Sequence, residues 1–130
     1  MGPVNWLAVL VAAAVALVVA IVWNGRLFKQ ERKGLGRNGE PTGGYLVVAL
    51  VMLIGAAMLG HNFARIGSAT LDAKPWLYFM QTGGVALAFV IPAVYLSHAR
   101  NRTEPMRRVI DCAFWMVAYL AMGVVFWALR

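Results

Sequence analysis

Four long runs of the chain contain no charged side chain, and they constrain its fold more than any other feature. The runs cover residues 1–25, 41–64, 75–99 and 112–129, with His61 and His98 counted as neutral. A helix needs about 20 apolar residues to cross the hydrocarbon core of a bilayer, and each run is close to that length. We therefore expect an all-α membrane protein with four transmembrane helices, at about residues 4–23, 44–66, 76–98 and 109–129.

The composition agrees with a chain that folds in lipid. Of its 130 residues, 62% are hydrophobic and 13% are charged, and the mean hydropathy is +0.70. Soluble globular domains carry about twice that share of charged residues. Four helices occupy most of the chain, so we expect residues 1–130 to form a single transmembrane domain. The first run lacks a preceding basic residue and a following small-x-small cleavage site, which favours a retained helix over a signal peptide.

Basic residues are concentrated in two of the predicted loops. The first and third loops hold nine of the twelve Lys and Arg residues, namely Arg26, Lys29, Arg32, Lys33, Arg37, Arg100, Arg102, Arg107 and Arg108. Short loops rich in Lys and Arg stay in the cytoplasm. We therefore expect an antiparallel bundle with both termini outside, in the plasma membrane, which is the inner membrane of a bacterium.

The net charge of +7 is, on this interpretation, a signal of topology. The basic loops are expected to contact anionic lipid headgroups, and no nucleic-acid partner is needed to explain them. The first loop, rich in Gly and charge, is predicted to be a flexible cytoplasmic connection. Docking of a partner on this loop is the alternative.

Small residues recur at every fourth position in three of the predicted helices. The stripes are Ala8, Ala12, Ala16 and Ala20 in the first helix, Ala56, Gly60 and Ala64 in the second, and Gly84 and Ala88 in the third. In lipid, such stripes let the backbones of two helices approach closely. We expect them to be internal seams of the bundle; the alternative is that some form an oligomer face. Pro92 follows the third stripe and should kink that helix.

Polar residues near the end of the second helix are the candidates for a binding site. His61 and Arg65 lie four residues apart and share a helical face with Asn62, and Gln81 is expected at a similar depth on the third helix. This predicted ligand-binding group of His61, Asn62, Arg65 and Gln81 could hold a carboxylate, a phosphate headgroup or a quinone oxygen. Alternatively, Arg65 reaches the interface and pairs with Asp72, while His61 and Asn62 form hydrogen bonds across helices.

Two further titratable residues lie at the predicted inner side. Asp111 is placed in the first turn of the fourth helix, where Arg107 and Arg108 offer a local ion pair, so a proton relay is not expected. His98 is predicted to be an interfacial residue near anionic lipid. Its depth differs from that of His61 by most of the bilayer, so the two are not expected to share a metal ion or a haem.

Motifs that would indicate catalysis are absent from the sequence. There is no H-E-x-x-H, no phosphate-binding Gly-rich loop and no nucleophile elbow, and the one Cys, Cys112, stands alone. We expect no catalytic residue, no cofactor and no metal site. The favoured function is a non-enzymatic oligomer or an accessory subunit of a larger membrane complex. The alternative is a small-molecule, quinone or lipid-binding protein, or an oligomeric transporter, that uses the polar residues near the outer end of the second helix.

The two ends of the chain carry recognisable segments. They read "NWLAVLVAAAVALVVAIVWNGRLF" and "RRVIDCAFWMVAYLAMGVVFWALR", and their most specific parts are Asn5-Trp6, Trp23-x-Gly25-x-Leu27-Phe28 and Met122-Gly123. These segments resemble the domain of unknown function 1761 family of small integral membrane proteins. The resemblance implies a four-helix membrane protein and no particular activity.

Overall fold

The computed structural model of the protein describes residues 2–27 and 44–130. Within these residues, four helices are long and apolar enough to cross a membrane, and no β-strand occurs among them. The first to fourth spans are Trp6–Leu27, Gly44–Ile66, Trp76–Arg100 and Pro105–Ala128. The expectation of an all-α protein with four membrane-capable helices is confirmed for this part of the chain. The predicted first loop lies mostly at residues 28–43, outside the described residues.

The described residues form six α-helices and two π-helical turns. The elements are α1 Trp6–Val22, a π turn Trp23–Leu27, α2 Gly44–Ile66, α3 Ser68–Ala73, α4 Trp76–Val85, a π turn Ala86–Val90, α5 Ile91–Arg100 and α6 Pro105–Ala128. The second span has the predicted bounds. The fourth begins four residues before the predicted start at residue 109, because Pro105 suits the first helical position, where its missing N–H costs no hydrogen bond.

The start of α1 is held by one side chain. The Asn5 side-chain oxygen, Oδ1, accepts a hydrogen bond from the Ala8 backbone N–H at 3.0 Å, which is the usual role of a helix N-cap. The Asn5 amide also donates to the Leu129 carbonyl oxygen at 2.8 Å, and the Gly2 N–H donates to the Ala64 carbonyl oxygen at 3.1 Å. The start of α1 therefore lies beside the ends of α2 and α6.

The core of the protein is built around α1 and α6. α1 packs most extensively against α2 and α6, and α6 packs in turn against the third span. Every member of the α1 stripe, Ala8, Ala12, Ala16 and Ala20, is at most 1% exposed. A Cβ atom placed on Gly60 of α2 would lie 2.6 Å from the Val9 Cγ2 atom, closer than van der Waals contact allows. The first two small-residue stripes are thus seams inside the protein.

The third span is interrupted where its sequence contains proline. The π turn Ala86–Val90 ends immediately before α5, and Pro92 is the second residue of α5. Proline lacks an N–H and its ring clashes with the carbonyl oxygen four residues earlier, and a wider turn removes that clash. The irregularity expected at Pro92 is therefore a π-helical turn in the preceding residues. Before it, the buried Thr82 hydroxyl donates to the Tyr78 carbonyl oxygen at 2.9 Å.

Candidate functional site

The four residues predicted to bind a ligand occupy the ends of two spans. His61 and Arg65 of α2 are exposed, whereas Asn62 of α2 and Gln81 of α4 are half-buried. Among the described residues, their side chains form no hydrogen bond or ion pair with one another or with the rest of the chain. The shared face of His61 and Arg65 thus points away from the protein's own core. The interhelical hydrogen bonds and the Arg65–Asp72 ion pair of the alternative interpretation are likewise not formed in the part of the chain that is described.

A cavity of about 300 Å³ opens at the same end of the protein. We call it the aromatic cavity, because the rings of Phe63, Tyr78 and Phe126 line it. The ring centroid of Phe63 lies 4.8 Å from that of Tyr78 and 5.0 Å from that of Phe126. Each ring residue is at most 5% exposed. The cavity therefore has an apolar, deeply buried wall contributed by α2, α4 and α6.

Two charged residues line the exposed part of this cavity. Asp72 lies in α3 and Arg130 follows α6, and both are exposed. The Arg130 guanidinium lies 5.6 Å from the centroid of the Trp127 ring, and within residues 2–27 and 44–130 neither charge takes part in an ion pair. None of His61, Asn62, Arg65 and Gln81 lines the cavity. The predicted site remains a prediction, and the cavity beside it is built from other residues.

The opposite end of the third and fourth spans contains a His–carboxylate contact that the sequence did not reveal. His98 Nε2 lies 2.7 Å from Asp111 Oδ2, and Arg107 Nε lies 3.9 Å from the same oxygen. Arg107 is thus one of the two local partners expected for Asp111. Arg108 instead donates from Nε to the Thr103 carbonyl oxygen at 2.8 Å. Since α6 begins at Pro105, Asp111 lies in its second turn rather than its first, and it faces His98 across the two helices.

A second cavity adjoins this pair. It has a volume of about 470 Å³ and is lined by Asn24, Ser97, His98 and Asp111 together with apolar and aromatic side chains of the third and fourth spans. Within the described ranges, no three His, Cys, Asp or Glu residues come close enough together to hold a metal ion. The His98–Asp111 pair joins α5 to α6, and we assign it no ligand.

The third small-residue stripe differs from the first two in its surroundings. Gly84 and Ala88 are exposed, and in the described part of the chain a Cβ atom placed on Gly84 would meet no packing neighbour within 4 Å. Met80, one turn earlier, is 47% exposed. We call Met80, Gly84 and Ala88 the third-span stripe. It is a smooth strip on the least buried of the four spans.

Comparison with known proteins gives one result at the level of the family. The sequence matches no curated protein and no solved structure. A family model described as a protein of unknown function, DUF1761, matches residues 7–127, which include nearly the whole chain. The match agrees with the resemblance seen in the segments at the two ends of the sequence. The chain belongs to the DUF1761 family.

Proposed function

We propose that the protein is a non-enzymatic integral membrane protein that works as an oligomer of its own chain, with the third-span stripe as the contact. The observation that carries this proposal is the exposure of Gly84 and Ala88. The equivalent small residues of α1, and Ala56 and Gly60 of α2, are buried between helices. The third span alone presents its stripe outward.

Packing energetics in a bilayer favour a partner on this stripe. Lipid tails are as apolar as the helix surface, so helices associate through close backbone approach rather than through removal of apolar area from water. Small residues four positions apart, such as Gly84 and Ala88, provide that approach. Gly in a helix interior costs about 1 kcal/mol relative to Ala. Among residues 2–27 and 44–130 no packing contact at Gly84 offsets this cost, and a neighbouring helix would.

The symmetry of membrane oligomers makes a second copy the natural partner. In a dimer with its twofold axis along the membrane normal, the same patch of each subunit meets at the same depth. Gly84 would then face Gly84 of the other copy. The two backbones could approach closely, because each copy has a glycine at the contact. A larger membrane complex, with this protein as an accessory subunit, is the other way to cover the stripe.

The finer topology belongs to the same proposal. We infer an antiparallel bundle with both termini outside and the basic loops in the cytoplasm of a bacterium, near anionic headgroups. The hydrogen bonds from Gly2 to Ala64 and from Asn5 to Leu129 support the antiparallel part of this arrangement, because they join the start of α1 to the ends of α2 and α6. Labelling of a Cys introduced at Gly36 from outside intact cells would contradict it.

Disulfide crosslinking in the membrane tests the oligomer contact directly. In a Cys112→Ser background, which removes the one native thiol, we expect Gly84→Cys to form a disulfide-linked dimer on mild oxidation. Ile54→Cys is the matched control, since Ile54 is 70% exposed in the middle of the second span. This control should remain monomeric. Equal crosslinking at both positions would contradict the proposal, and attachment of Gly84→Cys to a different protein would favour the accessory-subunit function.

A further inference from the structure

We propose that the aromatic cavity binds a small zwitterion, in which an ammonium group is carried close to a phosphate or a carboxylate. This site is separate from the third-span stripe and does not depend on self-association. It is also separate from the exposed face of His61 and Arg65, because neither residue lines the cavity. The proposal rests on the charges, the rings and the size of the cavity.

The charges of the cavity match a ligand that carries both signs. Asp72 and Arg130 line the same cavity, and in the described part of the chain neither forms an ion pair. Asp72 can accept hydrogen bonds from an ammonium group. The Arg130 guanidinium can donate two parallel hydrogen bonds to a phosphate or carboxylate. A plain anion would satisfy Arg130 and be repelled by Asp72, whereas a zwitterion satisfies both.

The aromatic wall adds a second means of holding an ammonium group. Phe63 contacts both Tyr78 and Phe126, and all three rings are almost fully buried. Aromatic faces attract cations through the ring quadrupole, and the attraction grows when the cation is shielded from water. The wall also accepts the carbon atoms that join the two charged groups. Rings beside a carboxylate therefore favour an organic ammonium ion over a hydrated metal ion.

The size and place of the cavity define two sources for such a ligand. About 300 Å³ is at the lower end of the volumes of small-molecule sites, and it suits a headgroup rather than a whole lipid. The cavity lies at the ends of the spans, beside the start of α1 and the end of α6. Headgroups occupy this level of a bilayer. The ligand is thus either a free zwitterion or the headgroup of a zwitterionic lipid.

Calorimetric titration of the full chain in phosphatidylglycerol nanodiscs tests the proposal. The two probes are O-phosphoethanolamine, for the free zwitterion, and dihexanoyl phosphatidylethanolamine, for the lipid headgroup. We expect at least one probe to bind at least tenfold more tightly than inorganic phosphate. Asp72→Asn and Arg130→Gln should each weaken its binding at least tenfold. The controls Arg65→Gln and Lys74→Gln remove exposed cations outside the cavity and should change binding less than twofold.

A pair of variants on α3 separates loss of the site from loss of the fold. Ser68 lines the cavity, whereas its neighbour Ala69 is exposed and does not. Ser68→Phe should fill the cavity and abolish binding, and Ala69→Phe should bind like the unmodified protein, with both variants helical by circular dichroism. Binding of the free probe alone or of the lipid probe alone identifies the source. Failure of both probes to bind the folded protein, equal binding of inorganic phosphate, or unchanged binding by the charge variants would overturn the proposal.

Discussion

Gly60 in the second span and Gly84 in the third share one sequence feature, but Gly60 is buried and Gly84 is exposed. Each is followed by Ala four residues later. Gly60 lies against Val9 of the first span, whereas no packing neighbour among the residues described lies within 4 Å of a Cβ atom built on Gly84. The spacing of small residues therefore specifies a face suited to close approach. The rest of the fold decides which helix covers that face, and none of the described helices covers it at Gly84.

The largest expected effect is a difference in the free energy of unfolding between Leu substitutions at these two glycines. Gly60→Leu should lower the free energy of unfolding by about 3 kcal/mol, because overpacking a tight seam forces helices apart. The same substitution at Gly84 should leave the free energy unchanged or raise it by up to about 1 kcal/mol, from the better helix propensity of Leu. Reversible unfolding in mixed detergent micelles measures both. Equal destabilisation would mean that Gly84 is also packed within the monomer.

The stability of the packed first span should also depend on Asn5, the side chain that holds the start of α1. Asn5→Ala removes the hydrogen bond to the Ala8 N–H and the one to the Leu129 carbonyl oxygen. We expect a loss of about 1 to 2 kcal/mol in the same unfolding measurement, the usual cost of an N-cap. Asn5→Asp retains the acceptor and should recover about half of that loss. An unaffected Asn5→Ala variant would mean that helix packing alone holds the start of α1.

Substitution in the exposed third-span stripe should change the affinity between two copies rather than the stability of one copy. Gly84→Leu should weaken dimer formation at least tenfold, equivalent to about 1.4 kcal/mol, because the added side chain separates the two backbones. Energy transfer between donor-labelled and acceptor-labelled copies in liposomes measures the change. Gly60→Leu is unsuitable as a control here, so Ile54→Ala, at another exposed position, serves instead and should leave transfer unchanged. Undiminished transfer in Gly84→Leu would move the contact to a different face.

The smallest effect is expected at Arg65. This side chain is exposed and has no ion-pair partner among the residues described, so Arg65→Ala should change the free energy of unfolding by less than about 0.5 kcal/mol. Energy transfer between copies should also be unchanged. A marked loss of association would show that the outer face of α2 is covered by a second copy as well. Loss of ligand binding with an intact fold would instead support the site predicted at His61, Asn62, Arg65 and Gln81.

Hydrophobicity and charge were enough to predict the spans, because each span contains an uncharged run close to membrane-crossing length. The start of α6 was predicted too late, since Pro105 and two following Arg residues are typical of a loop by composition. The missing turn also hid the His98–Asp111 pair, which depends on Asp111 lying in the second turn of its helix. A local hydrophobic pattern cannot reveal such contacts between helices.

The cavity was beyond prediction for a related reason. Its wall combines Phe63, Tyr78 and Phe126 from three helices, and its charges come from Asp72 and Arg130 at separate ends of elements. The sequence did indicate that His61 and Arg65 share a face. Whether that face is buried depends on the rotation of α2 about its own axis. The close contact between Gly60 and Val9 requires the Gly60 side of α2 to face α1.

The π turn Ala86–Val90 has a consequence for which sequences can form this third span. A π turn holds one residue more than a regular turn, so it is equivalent to an insertion in an α-helix. The removal of one residue there would make the helix regular and rotate one half relative to the other by about 100°. Thr82 lies against Gly123 of α6, where a Cβ atom built on the glycine would be 2.6 Å from the Thr82 Oγ1 atom. After the removal, Thr82 could not keep this contact while His98 keeps its contact with Asp111. The length of the chain between these two contacts is therefore as constrained as the residues that make them.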